Sequence, residues 1–176
     1  MSLQSLRDAL PAYAADQKHN LITLSEEQLL SEQQKWGCFL ACAYATGQSN
    51  LIVALENETS GRLTPAARTA AKSAATIMAM NTVYYSAVNQ LNNHDYRGQP
   101  TGLAMTALSQ KDVDKIDFEL WALAVSAVRQ CGVCLNVHEA DLHKRNVTLE
   151  RVQAALRIAA VMSAVGAVMA IESAAP

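Results

Sequence analysis

The sequence has few of the residues that build sheets, flexible linkers or tight turns. Of its 176 residues only 5% are aromatic, seven are glycine and four are proline, while 51% are hydrophobic. A chain of this length and apolar content can bury a sizeable core, and its many alanine, leucine, valine and methionine residues favour helices over strands. We therefore expect one all-α domain over residues 1–176.

The chain also lacks a strong charge of either sign. Its formal net charge is -2 and it has no run of like charges, so we expect no nucleic-acid partner. Residues 1–8 lack the basic flank and apolar run of a signal peptide, and the apolar segment 161–171 is shorter than the about 20 residues of a membrane span. We expect a cytoplasmic protein without a membrane partner. In that compartment a CxxC motif more often serves catalysis or metal binding than structure.

Cap signatures indicate where helices begin. Ser25 followed three residues later by Gln28 predicts a capping box at the start of a long helix over residues 26–45. Asp117 is predicted to cap a helix over residues 118–130. Strand-like alternation of apolar and polar residues is not evident, which again favours the all-α class.

The two halves of the chain resemble each other. At an offset of 84 positions Thr64 matches Thr148 and Met78 matches Met162, and at an offset of 85 Trp36 matches Trp121. Alanine-rich helices match each other easily, but these matches follow one another in the same order in both halves. We predict an internal duplication of a helical unit, with approximate half-repeats 26–91 and 117–173.

A CxxC motif followed by a histidine is the most informative stretch. Cys131, Cys134 and His138 are spaced three and four residues apart, so on a helix they lie along one face. A neighbouring imidazole or a helix N-terminus lowers the pKa of a thiol and favours the reactive thiolate. The spacing therefore predicts a redox-active dithiol, with the alternative that the two cysteines are buried apolar residues.

Glu119 is the candidate acid for this site. It lies among bulky apolar residues near the start of a predicted helix. One interpretation is an acid that complements the helix dipole. The other is a partly buried carboxylate with a raised pKa that accepts a proton from the thiol–imidazole pair.

Other polar or sulfur-containing residues suggest weaker alternatives. Cys131, Cys134, His138 and His143 could form a zinc site, although structural zinc ligands usually come from two separate elements. Core packing is the preferred interpretation of the remaining cysteine pair and of the methionines, at positions 38, 42, 78, 80, 105, 162 and 169.

Taken together, these residues resemble the alkylhydroperoxidase D (AhpD) family, within the carboxymuconolactone decarboxylase-like group. The resemblance extends over nearly the whole chain and rests on four segments joined to the CxxC motif, at residues 6–14, 36–37, 77–81 and 118–122. It implies an all-helical, AhpD-like fold and an antioxidant, thiol-dependent peroxidase, an oxidoreductase that holds no bound cofactor or metal.

The resemblance also implies partners and residue roles. The dithiol of such a homotrimer would be reduced by dihydrolipoamide on the lipoylated subunit of 2-oxoacid dehydrogenases, and it could pass electrons to the peroxiredoxin AhpC. The redox pair would be Cys131 and Cys134, which close to a disulfide bond, and the proton relay would use Glu119 and His138. The sequence leaves open which thiol attacks the peroxide.

One position departs from the family pattern. The residue before the second cysteine can be histidine in this family and is Val133 here. Two other functions remain open from the sequence: a metal-binding helical module, and a non-redox enzyme like the decarboxylase branch of the group, which would work without either thiol.

Overall fold

A computed structural model describes residues 2–174 of the chain, and these residues form helices and no strands. The eight α-helices are α1 Leu3–Ala9, α2 Ala15–Ser25, α3 Glu32–Thr46, α4 Ser49–Thr59, α5 Pro65–Gln90, α6 Lys115–Val128, α7 Gly132–Lys144 and α8 Leu149–Ala174. Short 3-10 turns lie at Ala12–Ala14, His94–Gly98 and Thr106–Leu108. The predicted all-α class is confirmed.

Helices α3 and α6 form the centre of the fold. They pack against each other, and both contact α5 and α8. The buried face of α5 is rich in alanine, whose small side chain lets helices approach closely. Helix α7, which carries the CxxC motif, lies against α5 and α6 at the edge of this core.

Two predicted helix starts are wrong. Ser25 ends α2, where its hydroxyl donates to the carbonyl of Ile22 inside the helix. The capping box instead joins Ser31 and Gln34, so the predicted helix over 26–45 begins six residues later. Ser25 and Ser31 each precede a glutamine by three residues, so the motif alone does not tell which one begins the helix. Ser31 does, because α2 continues through Ser25.

Asp114, rather than Asp117, caps α6. Asp117 lies in the first turn of that helix and is buried, where it accepts hydrogen bonds from Gln33 and Gln34 of α3. These bonds fix the start of α6 against the start of α3. An aspartate near the start of a helix is usually interpreted from the sequence as its N-cap. Here Asp117 instead connects α6 to α3 through hydrogen bonds.

The predicted duplication gains support from the helix boundaries. Helices α3, α4 and α5 begin at positions 32, 49 and 65, and α6, α7 and α8 begin at 115, 132 and 149, so each start recurs after 83 or 84 residues. Gly47 and Gln130, also 83 positions apart, both have left-handed backbones, with φ of 72° and 57°. The half-repeats 26–91 and 117–173 remain a prediction that superposition of the two halves would test.

Helix α8 is long and apolar enough to cross a membrane by length and composition alone, with a mean hydropathy of 2.0 over 18 residues. It extends well beyond the apolar segment 161–171, which by itself is too short to span a membrane. Core helices of globular proteins have the same composition, and 44% of this window is buried within the fold. α8 packs against α2, α3 and α6, and we interpret it as a core helix.

Gly37 lets α3 pack directly against the ring of Trp121 on α6, and Gly37→Ala is expected to destabilise the fold by about 1–3 kcal/mol through overpacking. A Cβ atom at Gly37 would overlap the ring of Trp121, which is fully buried and donates a hydrogen bond to the carbonyl of Gln34. Urea unfolding measures the change in the free energy of unfolding.

Gly61→Ala is the matched control for this substitution, because nothing lies within 4 Å of a Cβ atom there. Both substitutions replace glycine by alanine, so they lower the conformational entropy of the unfolded chain to a similar extent. Equal stability of the two variants would contradict close packing of α3 on α6.

Candidate active site

The two cysteines of the CxxC motif lie at the junction of α6 and α7 and are joined in a disulfide, with their Cα atoms 5.3 Å apart. Cys131 is the N-cap of α7, and its sulfur accepts a hydrogen bond from the backbone N–H of Cys134 at 3.3 Å. The left-handed backbone of Gln130 turns the chain sharply between the helices. The N-terminus of α7, where a developing thiolate is stabilised, is therefore directed at this sulfur pair.

The two cysteines differ in their surroundings. Cys131 is 0% exposed and lies 4.0 Å from the hydroxyl of Ser86, whereas Cys134 is 5% exposed. Cys134 also lines a cavity of about 230 Å³ together with His138. A small molecule in this cavity would contact Cys134, whereas Cys131 is not among the lining residues.

His138 and Glu119 form a buried pair behind the disulfide. Nδ1 of His138 lies 2.6 Å from Oε2 of Glu119, and the side chains are only 8% and 6% exposed. A carboxylate can only accept, so the ring N–H at Nδ1 donates to it. Nε2 of the ring lies 3.2 Å from the sulfur of Met78. Within residues 2–174 the ring nitrogens thus contact Glu119 and Met78, and neither bonds to Cys134 in the disulfide form.

Lys115 lies on the other side of Glu119. Its ammonium is 2.5 Å from Oε1 of Glu119, one helical turn away on α6. Burial raises the pKa of Glu119, but the hydrogen bonds from His138 and Lys115 together outweigh it, so the pKa lies below its ordinary value. The interpretation of Glu119 as a carboxylate with a raised pKa is wrong, because it took no account of Lys115.

The structure brings the four predicted site residues into one region and adds two more. Cys131, Cys134 and His138 follow one another along α7, as their spacing predicted, and Glu119 reaches them from α6. Met78, which the sequence indicated as core filler, contacts the imidazole. The i,i+4 spacing of Lys115 and Glu119 is the signal that could have identified the lysine.

The cavity beside Cys134, which we call the inner chamber, is mostly apolar. Its walls come from α5, α7 and the turn at Thr106–Leu108, and they are lined by Met78, Asn81, Tyr85, Met105, Leu108, Val133, Cys134, Val137 and His138. Apolar walls exclude water and suit an organic rather than an ionic ligand. Val133, the position that departs from the family pattern, is part of this wall.

The remaining candidates lie outside the site. Cys38 and Cys42 are fully buried in α3, and burial raises the pKa of both thiols, which confirms their interpretation as core residues. His143 is exposed. Among residues 2–174 no three His, Cys, Asp or Glu side chains are grouped as metal ligands, and the thiols of the proposed zinc set are joined to each other.

We expect Lys115→Met to raise the pKa of Glu119, because it removes one of the two groups that stabilise the carboxylate. A lowered folded-state pKa stabilises the protein above the unfolded value of about 4.3, and this contribution is lost as pH falls through the folded value. In the variant the folded and unfolded pKa values lie closer together, so less stability should be lost as the pH falls. Urea unfolding between neutral and acidic pH measures it.

Lys115→Arg keeps the cation and should restore the wild-type pH dependence. If Lys115→Met and wild type lose the same amount of stability between neutral and acidic pH, Lys115 does not hold Glu119 ionised.

The chain is similar to named proteins over almost its whole length. Alkyl hydroperoxide reductase AhpD of Hyphomonas neptunium is 48% identical over 174 residues, which cover 99% of this chain and 97% of that protein. The proteins of the same name from Maricaulis maris and Brucella abortus are 49% and 44% identical, over 98% and 99% of this chain and 100% and 98% of their own lengths. The carboxymuconolactone decarboxylase family matches residues 94–175, which include the CxxC motif.

Proposed function

Because the chain belongs to the AhpD family of alkyl hydroperoxide reductases, we propose that it is an antioxidant peroxidase that reduces organic hydroperoxides by a dithiol–disulfide cycle. One observation supports this most strongly. The disulfide of Cys131 and Cys134 lies at a helix N-terminus, and Cys134 shares an apolar chamber with the buried His138–Glu119 pair. The chamber thus brings together a redox centre, a proton-transfer pair and room for an organic molecule.

In the proposed cycle the reduced site presents Cys134 as a thiolate. The thiolate attacks the outer oxygen of the hydroperoxide, the O–O bond breaks, and the alcohol leaves with a proton supplied through His138. Cys134 is now a sulfenic acid. The thiol of Cys131 attacks its sulfur, water leaves, and the disulfide forms. Two electrons pass from the dithiol to the peroxide.

We assign the attack on the hydroperoxide to Cys134 because a ligand in the chamber can reach this residue. Cys134 lines the chamber, whereas Cys131 is fully buried and is not among the lining residues. The position of Cys131 as N-cap suits it to the second step, since the helix N-terminus favours its thiolate. Glu119, ionised beside Lys115, would accept the N–H of Nδ1 and so fix the orientation of the imidazole.

The reductant proposed for this site is a dihydrolipoamide group on the lipoylated subunit of a 2-oxoacid dehydrogenase. A dithiol of this kind suits the task, because its first thiolate attacks the disulfide and its second closes a five-membered ring and releases the reduced enzyme. Electron transfer to the peroxiredoxin AhpC, a homotrimeric assembly and a cytoplasmic location belong to the same proposal. These points rest on the resemblance to the family.

The proposal is tested by following cumene hydroperoxide consumption with dihydrolipoamide as the sole electron donor. We expect one dithiol to be oxidised per hydroperoxide, and we expect no turnover by the double variant Cys131→Ser/Cys134→Ser. Equal consumption by that variant would overturn the dithiol cycle.

A decarboxylase-like, non-redox function is the second candidate, and the family match over residues 94–175 is the observation that favours it. Such an enzyme would need His138 and Glu119 for proton transfer but neither thiol. The double cysteine variant separates the two, since it would keep a decarboxylase activity and lose a peroxidase activity.

A further inference from the structure

A second cavity adjoins the inner chamber. This outer chamber has a volume of about 350 Å³ and is lined by Tyr84, Tyr85, Val88, Asn89, Tyr96, Arg97, Gln99, Thr101 and Val133. Tyr85 and Val133 line both chambers, so these two side chains lie between the two spaces. The hydroxyl of Tyr85 lies 3.9 Å from the sulfur of Met105 in the inner chamber.

The two chambers follow α5. Their lining residues on that helix extend from Met78, beside His138, to Asn89, a length of about 16 Å at the rise of an α-helix. Such a path is longer than a compact hydroperoxide needs. It suits a ligand whose reactive group lies at Cys134 and whose apolar chain continues outward along the helix.

The outer chamber combines aromatic walls with one fixed cation. The rings of Tyr84 and Tyr85 pack edge to face with centroids 5.3 Å apart, and Tyr96 is half exposed. Arg97 donates from Nη2 to the carbonyl of Asn89 at 2.9 Å, which holds its guanidinium at the end of α5. Among the described residues that line the two chambers there is no Asp or Glu.

We propose that the two chambers bind a long-chain hydroperoxide with a carboxylate at its far end, of the fatty acid hydroperoxide class, and that Arg97 recognises this carboxylate. The inference rests on the proposed peroxidase function and names its substrate class. The hydroperoxide lies at Cys134, the chain passes between Tyr85 and Val133, and the carboxylate meets the guanidinium. A valine at position 133 keeps this passage apolar.

The test compares linoleic acid hydroperoxide with its methyl ester, which has the same chain without the charge. The rate at which each oxidises the pre-reduced enzyme is measured by stopped flow. Wild type should react about tenfold faster with the acid at subsaturating concentration, the scale of one charge-assisted hydrogen bond. Arg97→Gln should remove this preference and leave the rate with the ester within about twofold of wild type.

Arg62→Gln is the matched control, because Arg62 pairs with Glu32 and Glu58 and lines neither chamber. It should keep the preference for the acid. An equal loss of preference in both arginine variants would indicate a general charge effect and overturn the assignment to Arg97.

The outcomes separate this inference from the proposed function. If neither hydroperoxide oxidises the wild-type dithiol, the peroxidase proposal fails. If both oxidise it equally and Arg97→Gln changes nothing, the peroxidase stands and the carboxylate site is wrong. If Arg97→Gln leaves both hydroperoxides unchanged but slows disulfide reduction by dihydrolipoamide, the outer chamber serves the reductant and the inference is overturned.

Discussion

Cys134→Ser is expected to abolish hydroperoxide turnover and leave only the uncatalysed rate. The serine hydroxyl is nearly the size of the thiol, so the chamber keeps its shape, but it does not ionise at neutral pH and cannot accept an oxygen atom from the peroxide. The measurement is steady-state turnover of cumene hydroperoxide with a saturating dithiol.

Two other variants make this result specific. Cys131→Ser should still react once, giving a sulfenic acid on Cys134 that a dimedone probe traps, because only the resolving step is lost. Cys42→Ala, at a buried thiol remote in sequence from the motif, should turn over like wild type. Wild-type turnover by Cys134→Ser would refute its assignment as the attacking residue.

His138→Asn should lower the rate of peroxide reduction by about 10²–10⁴-fold, the range typical of a lost general acid–base group. The asparagine amide can still donate to Glu119, which limits the cost of leaving that carboxylate buried. The pre-steady-state rate of disulfide formation measures the loss, separately from the reduction step.

The partner variant Glu119→Gln tests whether the pair acts as a unit. If Glu119 works through His138, the double variant should be no slower than His138→Asn alone. His143→Asn removes an exposed histidine from the same helix and should have no effect. Fully additive losses for His138 and Glu119 would show that the two act independently.

The parts of the site that could be predicted from the sequence are those set by helical spacing. Cys131, Cys134 and His138 fall along one helix because residues three and four apart share a face. The all-α class followed from composition, since a chain rich in alanine and leucine and poor in aromatic residues favours helices. The position of Glu119 in an apolar helix suggested that its carboxylate is partly buried near the imidazole. The distance between the two groups could not be predicted from the sequence.

The parts that could not be predicted depend on contacts between distant segments. Met78 of α5 contacts His138 of α7, and no pattern in the sequence around either residue indicates this contact. The lowered pKa of Glu119 is the balance between burial and two partners, and spacing alone does not give its sign. Ser25 and Ser31 offered equal capping signals, and the continuation of α2 decided between them.

The central claim is that Cys131 and Cys134 form a dithiol that a hydroperoxide oxidises and dihydrolipoamide restores. Intact-mass analysis after alkylation of free thiols, before and after one equivalent of cumene hydroperoxide, tests it directly. We predict the loss of two labels, mapped to Cys131 and Cys134 by peptide analysis, and their return after dihydrolipoamide is added. Unchanged labelling of both cysteines after the peroxide pulse would contradict the account.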